Sequence, residues 1–176
     1  MKHKRIIIIS ALFFAAASGL LFIYSFEAIF YFTVPVVERS PEQPIAFSHK
    51  KHAGKYSINC LYCHRYANIS KVAGVPDMEL CVSCHRFIAR KKPGIKKLIG
   101  YWERKEPVPW IKVHDLPDFT YFPHNTHLRA GVYCDSCHGD VTTMDRIERV
   151  SRISMRWCLD CHRERDVSID CLQCHF

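Results

Sequence analysis

The sequence predicts a few short α-helices joined by long irregular connections, with little or no β-sheet, preceded by one apolar N-terminal helix. It also predicts that side chains alone do not form the core. Three observations lead there. All ten cysteines fall in five copies of Cys-x-x-Cys-His, with none left over. The part of the chain beyond residue 37 is short, and these motifs are its main landmarks. Two stretches of that part, about 45–90 and 110–176, read as copies of one unit, the signature of a repeat.

The motifs are Cys60-Leu-Tyr-Cys63-His64, Cys81-Val-Ser-Cys84-His85, Cys134-Asp-Ser-Cys137-His138, Cys158-Leu-Asp-Cys161-His162 and Cys171-Leu-Gln-Cys174-His175. Two thiols three residues apart lie on one face of a helical turn, so both can form thioethers with the vinyl groups of one porphyrin. The histidine that follows then sits under the ring and offers its imidazole to the iron. The ten cysteines are therefore read as the attachment points of five covalently bound haems c, and His64, His85, His138, His162 and His175 as proximal ligands. Disulfides would not require a histidine after every second cysteine. Zinc ribbons would need four cysteines per metal and would leave the fifth pair without a partner.

Eleven histidines are present. His3 lies in a basic leader, and five are proximal ligands. His49, His52, His114, His124 and His127 remain, five candidates for five distal positions. A neutral imidazole is a good iron ligand, and a second one makes a six-coordinate centre suited to moving electrons. Singly, each would be read as an ordinary histidine, but the matching count and the two His-x-x-His pairs favour ligation. Methionine is the other common sixth ligand. Met78 and Met155, each three residues before a motif, are read as packing residues. Met144 joins them as a replacement ligand only if a distal histidine falls away.

Residues 1–37 differ in kind from the rest. Lys2, Lys4 and Arg5 precede an uncharged run over residues 6–26, long enough to cross a bilayer. Glu27 interrupts it, and residues 28–37 are again uncharged, with interfacial aromatics at Phe30, Tyr31 and Phe32. The positive-inside rule keeps the N-terminus in the cytoplasm and exports residues 38–176. The expectation is a single-pass protein of the bacterial cytoplasmic membrane with its haem domain in the periplasm. A signal peptide cleaved after Ala15-Ala16-Ala17 is the alternative, but the sequence stays apolar through Gly19-Leu-Leu-Phe-Ile-Tyr, which favours a retained anchor.

Residues 38–176 are too few to enclose five porphyrins in an ordinary apolar core, so the rings must supply the core and their covalent links must act as staples. The formal charge of +8 does not point to nucleic acid. Each haem brings two propionates, which lysine and arginine can balance. The densest basic run, residues 86–105, holds Arg86, Arg90, Lys91, Lys92, Lys96, Lys97, Arg104 and Lys105. It reads as a solvated face with propionate partners, ahead of a surface that docks on an acidic subunit or on headgroups.

The repeat is close in detail. Phe47-Ser-His49-x-x-His52, Cys60-x-x-Cys63-His64 and Met78-Glu-Leu-Cys81-Val-Ser-Cys84-His85-Arg86 match Phe122-Pro-His124-x-x-His127, Cys134-x-x-Cys137-His138 and Met155-Arg-Trp-Cys158-Leu-Asp-Cys161-His162-Arg163. The second unit continues to the fifth motif. Between the units, Pro93, Pro107, Pro109 and Pro117 predict a short helix over residues 94–102 and then an extended strap that delivers His114. Trp102 and Trp110 are expected to pack on porphyrin faces.

Phe-Ser-His-x-x-His followed by Cys-x-x-Cys-His resembles the class III multihaem cytochromes. The stretch Trp110-Ile-Lys-Val-His114-Asp-Leu-Pro117-Asp-Phe-Thr-Tyr-Phe122-Pro-His124-x-x-His127 resembles the pentahaem subunit of alternative complex III. It is also similar to the related subunit of the quinone reductase complex of sulfate reducers. The resemblance implies an electron-transfer subunit, not itself an enzyme, within a membrane quinol oxidoreductase. Its implied partners are polytopic quinol-site membrane subunits, an iron–sulfur subunit and a periplasmic acceptor cytochrome. The alternatives are a free periplasmic shuttle and a multihaem reductase. A reductase needs an iron with an open position or an altered motif, and the sequence shows neither. The pyridine haemochrome assay should return five haems c per chain, and no cysteine should react with alkylating reagent; four haems or a free thiol would remove one motif from the set.

Overall fold

The computed structural model describes residues 10, 12–25 and 39–175. The chain divides into two units, Met1–Val37 and Glu38–Phe176. In the first, residues 12–25 form helix α1. Among the described residues no helix is long and apolar enough to cross a membrane. The span expected over residues 6–26 reaches past α1 at both ends; beyond α1 only residue 10 of it is described, and Glu27 and residues 28–37 lie outside the described residues.

The second unit is built of short helices: α2 (Cys60–Cys63), α3 (Met78–His85), α4 (Pro93–Glu103), α5 (His124–Arg129), α6 (Asp135–His138) and α7 (Met155–Glu164). A π-helical turn spans Lys50–Lys55, and 3-10 turns span Val141–Thr143 and Cys171–Gln173. No strand occurs among the described residues, and one isolated antiparallel bridge joins Thr120 to His175. This matches the expected architecture of helical turns, irregular connections and no sheet.

Local sequence explains where the turns begin. Asn59 caps α2 by accepting from the Leu61 N–H, and Ser154 caps α7 by accepting from the Trp157 N–H. Asp140 and Asp170 cap the two 3-10 turns in the same way, at Thr142 and Leu172. Pro93 opens α4, where its missing N–H has no bond to lose, so the helix runs one residue further at each end than residues 94–102. Directly after α6, Gly139 turns the chain at φ 68°, and a Cβ there would press on Val150 at 2.9 Å.

The side-chain core is small. Ile45, Val82 and Leu98 form its centre, with Met78, Tyr101 and Trp110 among the residues packed against it. Met78 thus fills space between α3 and α4. Trp110 finds its partners in this cluster, which the sequence did not show, and Trp102 is exposed. Phe87, Tyr133 and Leu172, each inside or within two residues of an attachment motif, are 78%, 75% and 83% exposed. Large apolar side chains bare at such places fit a ring bound there.

The two repeats hold each other by backbone contacts. The Lys50 N–H donates to the Met144 carbonyl at 2.9 Å, and the Asn125 N–H to the Ser70 carbonyl at 3.2 Å. Ser48 Oγ donates to Asp145 at 2.8 Å. Gln43 grips the backbone of Ile111 through both ends of its amide, at 3.0 Å each. The turn Lys50–Lys55 lies so close to Val141–Thr143 that a Cβ on Gly54 would stand 2.3 Å from the Thr142 carbonyl oxygen. Gly54→Ala should therefore destabilise the haem-loaded protein by about 1–3 kcal/mol. Gly94→Ala, whose methyl would meet Ile45 Cγ2 at an ordinary 3.6 Å, should stabilise by roughly 0.5–1 kcal/mol. Urea midpoints shifting in opposite directions would bear this out.

Candidate functional site

Every attachment motif sits on a helical turn. Cys60 and Cys63 bound α2, Cys81 and Cys84 lie in α3, and Cys158 and Cys161 in α7. Cys134 caps α6, which contains Cys137, and Cys171 begins the last 3-10 turn, with Cys174 directly after it. The local geometry is the one two thioethers to one ring require, with the histidine following on the same turn.

The histidines are held as iron ligands are held. His64 Nδ1 bonds to the Gly74 carbonyl at 2.8 Å, His85 to Ile88 at 3.2 Å, His162 to Ser168 at 2.8 Å and His175 to Phe119 at 3.2 Å. Among the distal candidates, His52 bonds to Ser48 at 2.8 Å, His124 to Lys71 at 2.9 Å and His127 to Pro123 at 2.9 Å. A backbone carbonyl can only accept, so Nδ1 carries the proton and Nε2 keeps its lone pair for a metal. His49 Nδ1 and His114 Nε2 are buried without a hydrogen-bond partner. For His114 the orphaned atom is the one a metal would take.

The rings also pair across the fold. Metal–imidazole bonds of about 2 Å on both faces of an iron set the two ring centroids about 6 Å apart. His49 and His64 stand at 6.5 Å, His52 and His85 at 6.0 Å, and His127 and His162 at 6.1 Å. Each pair joins a distal candidate to a proximal ligand. His114 and His138 are only 4.3 Å apart, and that pair must open to admit an iron. His138 is also in the field of His124, while His175 packs on Phe119 at 5.8 Å. His114 and His124 are the distal candidates that stand in none of the pairs about 6 Å apart.

The surroundings keep the ligands neutral. Burial, then His64 and His52, push His49 down to about 4. Burial, then His114 and three further histidines, push His138 down to about 4. His114 is lowered by burial and by Arg149. Burial raises Cys63, Cys81, Cys134, Cys137 and Cys158, with neighbouring cysteines adding to each. As thioethers these sulfurs would not titrate. Among the described residues no three His, Cys, Asp or Glu side chains are gathered to hold a bare metal ion. Haem needs only two axial ligands from the chain, because its ring supplies the other four.

One feature of the site was not foreseen. Phe47 stacks on His52 at 4.4 Å, and Phe122 on His127 at 4.3 Å. The phenylalanine of Phe-x-His-x-x-His was visible as a motif, but its role as a wall against the second histidine was not. The basic run also comes partly together, as Arg86, Arg90 and Lys96 join His85 around a cavity of about 320 Å³. Cations beside a proximal ligand suit propionates, as the charge balance led one to expect. Met144 is buried and Met155 is exposed.

Residues 120–176 match the family of cytochrome c7 and related cytochrome c. The chain is also 32% identical, over 98 residues, to the menaquinone reductase multiheme cytochrome c subunit of Nitratidesulfovibrio vulgaris. That match covers 55% of this chain and 46% of the relative, so the chain spans about half the length of the protein it resembles. With the Cys-x-x-Cys-His motifs, these similarities support a multihaem cytochrome c with covalently bound c-type haems, and they point to electron transfer.

If ten histidines fill both axial positions of five irons, the oxidised protein should be low-spin throughout. The sulfur-to-iron band of methionine ligation should be absent, and cyanide or carbon monoxide should bind slowly. A stoichiometric high-spin signal with rapid ligand binding would instead indicate an open iron and a reductase.

Proposed function

We propose that this chain is the pentahaem electron-transfer subunit of a membrane quinol oxidoreductase of the alternative complex III type. It is anchored by residues 6–26, its haem domain lies in the periplasm, and it passes electrons to a periplasmic acceptor cytochrome. The observation that carries this reading is the set of imidazole pairs about 6 Å apart, His49 with His64, His52 with His85 and His127 with His162, in which every ring but that of His49 has its Nδ1 tied to a carbonyl. An iron closed on both faces leaves no room for a substrate. The match to a menaquinone reductase subunit supports a quinone-linked membrane complex, with polytopic quinol-site subunits and an iron–sulfur subunit as partners.

Bound at these sites, haem supplies an iron that takes and gives one electron at a time. The chain does the rest. His49, His52 and His127 serve the motifs of His64, His85 and His162. The strap brings His114 to one of the two remaining motifs, and His124 serves the other. Gly74, Ile88, Ser168, Phe119, Ser48, Lys71 and Pro123 hold the rings through their carbonyls, which fixes the tautomer and limits the rearrangement that accompanies each charge change. Arg86, Arg90 and Lys96 balance ring carboxylates at one end.

Replacing residues 1–37 by a cleavable leader should give a soluble, fully haem-loaded protein that dithionite reduces and that oxidises no quinol. Quinol oxidation by that form would overturn the assignment of roles. In the native protein, a mature N-terminus near Ser18 and release by a carbonate wash would replace the anchored subunit with a free shuttle.

A further inference from the structure

The two repeats dock through contacts that pair equivalent positions. Lys50, one residue after His49, donates its N–H to Met144, six residues after His138, at 2.9 Å. Asn125, one residue after His124, donates to Ser70, six residues after His64, at 3.2 Å. The same bond is made twice with the halves exchanged, as a two-fold axis requires. On such an axis a residue meets its own counterpart. Cys60 and Cys134, each the first cysteine of its half, lie within electrostatic reach of each other. His138 lies in the field of His64 and His49 across the same junction.

The next step outward is also duplicated. Cys63 is within electrostatic reach of Cys84, and its counterpart Cys137 of Cys161. His49 and His52, three residues apart, face His64 and His85, so one turn ties the first two ligand sets together. A last step has no counterpart in the first half. The Tyr121 N–H donates to the Cys174 carbonyl at 2.8 Å and Thr120 bridges to His175, while the next residue, Phe122, stacks on His127, which faces His162, so the fifth motif is tied to the segment that serves the fourth.

Building on the five-haem reading above, we propose that the ligand sets form one unbranched row in the order second, first, third, fourth, fifth, counted by motif. The two-fold axis passes between the first and third. The two ends are the set of Cys81, Cys84, His85 and His52, beside the basic cavity, and the set of Cys171, Cys174 and His175. Chain order and spatial order therefore differ at the first two motifs, because the first repeat meets the second through its earlier motif. Electrons enter and leave by the second and fifth sets, and the first is internal.

The anomalous signal of iron in crystals of the full haem-loaded chain locates five metals and tests the row directly. The shortest iron–iron distance between the halves should join the His64 and His138 sites, and the His85 and His175 irons should each have one near neighbour. A His85 iron lying next to the His138 iron, or any branch, would overturn the order. In solution, Ile169→Cys creates a thiol that can carry a ruthenium photoreductant beside the fifth motif. His49→Met and His52→Met each convert one site into a high-potential trap, because methionine ligation raises the potential. The His49→Met trap should be reduced before the His52→Met trap, and the reverse order would refute the row. A total other than five irons defeats the five-haem reading as well; five in another order defeats only this one.

Discussion

The bond from an imidazole Nδ1 to a backbone carbonyl is the interaction on which the rest of residues 39–175 depends. A histidine side chain turns freely about two bonds, and an iron ligand must not. His52 and His127 solve this locally, each reaching the carbonyl four residues back, so that one helical turn both carries and aims the ring. The proximal rings of His64, His85 and His162 reach forward by ten, three and six residues, and the loops after them are shaped to return a carbonyl at those points. His124 and His175 take theirs from segments 53 and 56 residues away, so aiming the ring and folding the chain become one event.

Other polar contacts carry little of this load. The ion pairs, such as Lys50 with Asp145 or Lys112 with Asp115, have side chains more than half exposed. Such pairs contribute roughly 0–1 kcal/mol each. The apolar cluster around Val82 and Leu98 holds α3 to α4 and takes in Ile45, Val108 and Trp110 from the flanking segments. What joins the repeats includes backbone-to-backbone bonds, the amide of Gln43 on the backbone of Ile111 and Ser48 Oγ on Asp145, and the approach at Gly54 leaves no room for a side chain. A chain with so little core relies on covalent attachment of its rings, since a thioether does not dissociate when a loop opens.

Much of this was legible in the sequence, because it is local. Cys-x-x-Cys-His is a helical turn by its spacing alone, Pro93 marks the start of α4, and the strap after α4 stays free of helix as its prolines require. The reading of ten histidines as axial ligands came from counting. Which histidine faces which did not, because pairing His49 with His64 depends on the path of the chain between them. The bridge between Thr120 and His175, the packing of Trp110 on Leu98, and the contact of Gly54 with Thr142 are long-range in the same sense. They leave no periodic trace, and only the small side chain at position 54 hinted that something approaches it.

The exchange of Lys50 and Asn125 across the junction has a thermodynamic consequence. Reduction potentials follow axial ligands, hydrogen bonding and burial; under the proposed two-fold arrangement the two central sites share ligand type and differ in how single rings are hydrogen-bonded, His64 to Gly74 and His124 to Lys71. The shared ligand type keeps the centre of such a conduit nearly degenerate, and a charge placed there is little more inclined one way than the other. Rectification has to come from what was not duplicated: helix α4 with Arg86, Arg90 and Lys96 beyond one end, and the fifth motif beyond the other. Positive charge beside the His85 site favours the reduced state there, so the polarity of the conduit is written in its two unlike extremities.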